Sequence, residues 1–120
     1  MPRPRKQKLI CSLPPCSTFS PCTSSHRSEG EAVVMSLEEY ETIRLIDHHN
    51  LDQAHCAEEM GVARSTVQRL YMDARRKIAG SIVEGRKLKI SGGDYTLCAK
   101  REDPSTCQNC RHHRERHGLV

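Results

Sequence analysis

The chain has 120 residues, enough for one domain of ordinary size, and holds no Trp, one Phe and three Tyr. So few large rings exclude an extensive aromatic core and leave a small one of Leu, Ile, Val and Ala, the kind a metal can reinforce. The net charge of +4 is polarised, with seven acidic and one basic residue over 36–62 but eight basic and two acidic over 63–93, and no apolar run approaches the ~20 residues a membrane-spanning helix needs.

Residues 1–35 read as a basic, Pro-rich arm. Pro2, Pro4, Pro14, Pro15 and Pro21 remove amide donors and disfavour helix there. Within the arm, Lys8-Leu-Ile-Cys11 reads as a short strand and the remainder as loop. Ser36-Leu-Glu-Glu39 fits a capping box, so a first helix is expected from Ser36. Leu37, Tyr40, Ile43 and Ile46 recur on one helical face, and the helix should stop near His48-His49-Asn50. A second helix should start at the N-cap Asp52, turn Ala54, Ala57 and Met60 inward, and end at Gly61.

The third and longest helix is expected from about Ala63 to Glu84. Its apolar stripe is Val67, Leu70, Tyr71, Ala74, Ile78 and Ile82, and its length about 33 Å. Ala63 is a poor cap and Gly80 a mild weakness. After Gly85 the period changes to two: Leu88 and Ile90, a turn at Ser91-Gly92-Gly93-Asp94, then Tyr95 and Leu97 predict a β-hairpin. The tail 98–120 is polar, with Cys and His clusters. The expected fold is mainly α: a three-helix helix-turn-helix domain over 36–87 with a long third helix, preceded by the arm 1–35 and followed over 88–120 by a small β-hairpin and an irregular Cys/His-rich tail.

The stretch from Asp52 to Leu70 carries the functional signal. A short helix, a glycine turn and a second helix let the latter enter a major groove with its first turns at the base edges. If Val67 centres the buried face, Ser65, Arg69, Met72 and Arg76 point away from the core, with Gln68 flanking. Arg pairs with guanine and Gln with adenine, so Arg64, Ser65, Gln68 and Arg69 are candidates for base contact. Thr66, Arg75, Arg76 and Lys77 are placed for phosphates, and the basic residues of 3–8 for backbone or minor groove. The expected partner is double-stranded DNA, and the expected role transcriptional regulation. A homodimer would let two half-sites multiply specificity, although no dimer surface is legible.

The segment 36–90 resembles the region of sigma factors, region four, that reads the −35 promoter element. More closely, residues 2–97 resemble a family of small uncharacterised prokaryotic proteins of the UPF/DUF type. The residues that carry this are the opening Met-Pro-Arg-Pro-Arg-Lys, Phe19-Ser-Pro21, Tyr40-Glu-Thr-Ile-Arg-Leu-Ile-Asp47, Ala74-Arg-Arg-Lys-Ile-Ala79 and Leu88-Lys-Ile-Ser-Gly-Gly93. The resemblance implies a DNA-binding protein and adds no catalytic residue.

Seven cysteines, an odd number, read as thiols or metal ligands rather than a disulfide framework. Cys107-Gln-Asn-Cys110 has the spacing with which two thiolates grip one tetrahedral ion. Cys98 is a third ligand and Cys11 the first choice for the fourth, since pairing its strand with the hairpin would bring the two together. His112, His113, His117, and more distantly Cys16, Cys22 and His26, are alternatives. Structural zinc is the expected cofactor, with an iron–sulfur cluster or free thiols as the other readings. Cys56, inside the second helix, reads as a small buried apolar residue.

An enzyme is not expected. Pro104 stands three residues before Cys107, whereas zinc deaminases place proline next to the cysteine pair, and no P-loop, nucleophile elbow or His-Glu-x-x-His occurs. The rival class is a protein-interaction module, its acidic first two helices docking a basic surface such as that of RNA polymerase. The basic start lacks the apolar stretch of a signal peptide, so the expected location is the cytoplasm.

Overall fold

The computed structural model describes residues 7–22 and 31–97. In chain order these form β1 (Lys8–Ile10), β2 (Thr18–Phe19), β3 (Val33–Met35), α1 (Leu37–Thr42), α2 (Gln53–Met60), α3 (Arg64–Glu84), β4 (Leu88–Ile90) and β5 (Tyr95–Leu97). The fold is mainly α, with short strands packed on the helices.

The helix boundaries follow local chemistry. At Ser36 the capping box is complete: Glu39 N–H donates to Ser36 Oγ at 3.1 Å and Ser36 N–H to Glu39 Oε1 at 3.0 Å. Asp52 caps α2, accepting His55 N–H at 2.8 Å, and Gly61 closes it in the left-handed conformation at φ 70°. Gly85 ends α3 in the same way, at φ 67°. Ala63 gives α3 no side-chain cap, as its methyl group requires.

Between α1 and α2 the chain departs from an ordinary helix. Residues Ile43–His48 continue α1 as a π-helix, and His49 N–H donates to Arg44 O, five residues back, at 3.0 Å. The wider turn shifts the inward face. Leu45, absent from the 3.6-period stripe, becomes fully buried, whereas Ile43 and Ile46 stay half-buried.

Two apolar clusters hold the molecule together. The first joins Leu45, Leu51, Cys56, Ala57, Met60, Val67 and Leu70, with Val62 against it. It locks α2 to the N-terminal half of α3. The second joins Ile10, Met35, Leu37, Ala74 and Ile90, with Tyr40, Ile43, Ile78 and Leu88 packed on it. Residues from 1–35, from the helices and from 88–97 thus share one core.

Four expectations are corrected. Residues 88–97 make no hairpin: β4 lies between β2 (antiparallel) and β3 (parallel), while β5 pairs in parallel with β1. The reason is the turn between them. Gly92 and Gly93 both take positive φ, and Leu37 N–H is bonded to Gly92 O at 2.9 Å, so the loop is fastened to the start of α1 instead of folding back. The stretch read as loop in 1–35 contains β2 and β3. Ala54 is exposed, because the cap at Asp52 turns Cys56, Ala57 and Met60 inward. Ile82 is 74% exposed, since the apolar stripe of α3 outruns the core by a turn.

Candidate nucleic-acid interface

The three residues Gly61, Val62 and Ala63 link α2 to α3. Val62 N–H donates to Ala57 O at 3.0 Å, and its side chain packs on the first cluster. Ala57, only 6% exposed, keeps the helix approach short, while Val67 and Leu70 anchor the start of α3. This anchoring turns the opposite side of α3 to solvent.

On that side Arg64, Ser65, Gln68, Arg69, Met72, Arg75 and Arg76 are all exposed. Ser65, Gln68, Arg69, Met72, Asp73 and Arg76 line a shallow groove of about 310 Å³. A larger cleft of about 510 Å³ lies beside it, between the first turns of α3 and the β1–β5 pair. Lys8, Glu38, Val62, Ala63, Thr66, Arg69, Leu70 and Asp94 line it. Thr66 therefore faces the cleft, half-buried, while Arg69 borders both depressions. Lys8 joins this edge because β1 lies against α2 and carries it beside Thr66 and Arg69, a juxtaposition that only the β1–β5 pairing reveals.

The cations differ in how they are held. Among the described residues no carboxylate comes within ion-pair distance of Arg64 or Arg69. Arg75 stands over the Tyr71 ring at 5.3 Å and reaches Asp47 only at 3.9 Å. The Tyr71 hydroxyl donates to Asp47 Oδ1 at 2.6 Å, which pushes its pKa up. Arg76 touches Asp73 at 3.5 Å with its side chain 74% exposed.

Lys77 is held more firmly: its Nζ lies 2.7 Å from Glu39 Oε1, while about a third of its side chain remains exposed.

The acidic helix is accounted for in the same way. Glu38, Glu39 and Glu41 are all buried. Glu38 accepts Asp94 N–H at 2.8 Å and pairs with Lys8 Nζ at 3.3 Å. Glu41 accepts Cys11 N–H at 3.2 Å and Arg44 Nε and Nη2 at 3.0 and 2.8 Å. Burial works against the Arg44 charge, but the Glu41 hydrogen bonds outweigh it and leave the pKa above its ordinary value. The acids of α1 thus look inward, each with its own partner, and the outward charge along the first half of α3 is basic.

Of the proposed metal ligands, Cys11 is described: it is buried, immediately after β1. Cys98, Cys107 and Cys110, and the alternatives His26, His112, His113 and His117, lie outside the described residues. Cys16 and Cys22 are exposed. Among the described residues no group of three His, Cys, Asp or Glu side chains is placed to hold a metal.

Residues 1–98 match the family described as "Protein of unknown function DUF134". The chain belongs to the DUF134 family. It is similar to a UPF0251 protein of Desulfitobacterium hafniense (47% identity over 98 residues, covering 82% of this chain and 78% of the relative). A UPF0251 protein of Halothermothrix orenii is 39% identical over 120 aligned positions, covering 97% and 88%. One of Methanothermobacter thermautotrophicus is 42% identical over 108 residues, covering 90% of this chain but 56% of the relative. No solved structure matches the chain. The match of this DUF134 chain stops at residue 98, so two of the four proposed metal ligands, Cys107 and Cys110, lie beyond the matched span.

Proposed function

We propose that the chain is a sequence-specific DNA-binding protein and transcriptional regulator. In this reading α2, the turn 61–63 and α3 work as a helix-turn-helix, with the first turns of α3 in a major groove. The observation that carries it is the segregation of charge. The glutamates of α1 are buried and paired, while Arg64 and Arg69 stand outward beside Ser65 and Gln68 with no carboxylate at ion-pair distance among the described residues. Arg64, Ser65, Gln68 and Arg69 are assigned to base edges, and Thr66, Arg75 and Arg76 to phosphates. The basic residues of 3–8 are assigned to the backbone or minor groove of the same duplex. The open N-terminus of α3 suits this role, because its first amides have no side-chain cap to compete with a phosphate.

The burial of Glu38, Glu39 and Glu41 weighs against the alternative of an acidic surface docking on a basic protein such as RNA polymerase. Structural zinc held by Cys11, Cys98, Cys107 and Cys110 is part of the proposal. Its support is the burial of Cys11 next to the strand pair that ends at Ile10 and Leu97. Metal analysis of the purified chain, beside Cys107→Ser, tests it; a chain that carries no zinc when purified without chelator refutes it.

The decisive test is a fluorescence titration against random duplexes at several salt concentrations, with Arg64→Ala/Arg69→Ala alongside. Selection of a sequence by the wild type, lost in the variant, supports the reading. Each phosphate contact should add about 0.9 to the slope of log affinity against log salt. Weak binding without selection, equal in both proteins, sinks it.

A further inference from the structure

Among the described residues, the C-terminal half of α3 leaves one face open to solvent. Val83 is 81% exposed, the most exposed large apolar residue described. Gly80 sits inside the helix, where glycine is disfavoured relative to alanine. Nothing in the fold demands it, because a Cβ there would meet no atom within 4 Å. Residues 76, 80, 83 and 84 are spaced i, i+4, i+7 and i+8, so they form one helical face. The Arg76 side chain is 74% exposed and that of Glu84 59% exposed. A cation and an anion flank the glycine, four residues to either side. Each also touches a neighbour in its own copy, Arg76 with Asp73 at 3.5 Å and Glu84 with Arg86 at 3.2 Å, so pairing between copies exchanges these exposed contacts.

This arrangement is complementary to itself. If two such helices cross antiparallel at Gly80, Arg76 of each lies level with Glu84 of the other. The bare Gly80 lets the backbones approach, and Val83 covers the gap. We infer that α3 pairs antiparallel with α3 of a second copy across Arg76, Gly80, Val83 and Glu84. The face that pairs lies about a quarter-turn round the helix from Gln68 and Met72, which remain open, whereas Arg76 is shared between the pairing and the groove.

One consequence rests on the DNA-reading proposal. From Gly80 to Gln68 is twelve residues, about 18 Å of helix. Two antiparallel copies therefore place their reading turns up to about 36 Å apart, close to the ~34–36 Å between half-sites one turn apart on B-DNA. A second copy thus fits this face better than an unrelated partner, since the pairing also sets the spacing that a two-fold operator needs.

The test is sedimentation equilibrium of the full chain without DNA. So small an interface predicts weak association, so the dimer is sought at high protein concentration, about 300 µM. Arg76→Glu and Glu84→Arg should each weaken it about tenfold, the summed worth of two exposed ion pairs. Both substitutions together should restore it to within about threefold. Gly80→Glu should give a monomer with an unchanged circular dichroism spectrum, because the site is open within one copy. A wild type that stays monomeric overturns the inference. So does a dimer indifferent to Gly80→Glu, or a double charge reversal no better than the single ones. Duplex binding is measured separately: a dimer that ignores DNA keeps the pairing and loses the reading function, and a monomer that selects a sequence does the reverse.

Discussion

Gly93→Ala should be among the most damaging small substitutions in this chain. Gly93 has φ +113°, a region L-residues rarely occupy, which costs about 1–2 kcal/mol. The added Cβ would also overlap Glu38 Oε1 and come within 3.1 Å of Ser36 Cβ. That Glu38 oxygen accepts Asp94 N–H at 2.8 Å, and the other holds Lys8 Nζ at 3.3 Å, with the carboxylate side chain only 7% exposed. Moving it forfeits a hydrogen bond to a buried charge, about 1.5–3 kcal/mol. The total is about 2.5–5 kcal/mol, a large part of the stability of a small domain. Gly92→Ala provides the control. Its φ of +79° is also unfavourable, but nothing lies within 4 Å, so about 1–2 kcal/mol is expected. Urea unfolding followed by circular dichroism measures both. In a Glu38→Ala background, Gly93→Ala should fall to the cost of Gly92→Ala. Equal losses for the two glycines in the wild-type background would refute the argument, because the overlap with Glu38 would then carry no weight.

Three further outcomes are expected. Lys77→Ala should destabilise the fold by about 1–2 kcal/mol, since it strips Glu39 of its ammonium while Lys77 itself is one-third exposed. If duplex binding is established, its salt slope should not change in this variant; a drop of about 0.9 would return Lys77 to the phosphate contacts. Burial pushes the Cys56 thiol up to about 12. Iodoacetamide at pH 8 should therefore label the exposed Cys16 and Cys22 and spare Cys56 in the native chain, and equal labelling would contradict its burial. The His55 amide, followed by its side chain, holds the Asp52 carboxyl below its ordinary 3.8. The folded value lies under the unfolded one, so this cap contributes above about pH 4 and fades as pH falls through the folded value. Asp52→Ala should thus cost stability at pH 7 and less at pH 3, and a cost that grew on acidification would reverse the assignment.

What was legible in the sequence was local. Ser36, Asp52, Gly61 and Gly85 mark helix ends because each acts on amides or torsions within a few residues of itself. The outward set Ser65, Gln68, Arg69, Met72 and Arg76 follows from Val67 and helical periodicity alone. Leu45 lies off the 3.6-residue stripe because the π-helical turn over Ile43–His48 changes the period there. The acidic block was read as surface because composition cannot tell a solvated glutamate from one paired inside; only the fold brings Lys8 to Glu38 and Lys77 to Glu39. Strand partners were illegible for the same reason. Lys89 faces Thr18 and Val34, and Leu97 faces Ile10, across separations that no short-range pattern records.

The parallel pairing of β1 with β5 also orders events in time. A chain growing from its N-terminus holds residues 8–10 with no strand beside them until residues 95–97 have been added. The cluster drawn from Leu45 to Leu70 comes from one short stretch and can close as soon as that stretch is free. The cluster that includes Ile10 and Ile90 must wait for nearly the whole span, and its loop closure is slower for that reason. Synthesis thus delivers the helical half first, while Ile10 gains its strand partner only when residues 95–97 arrive.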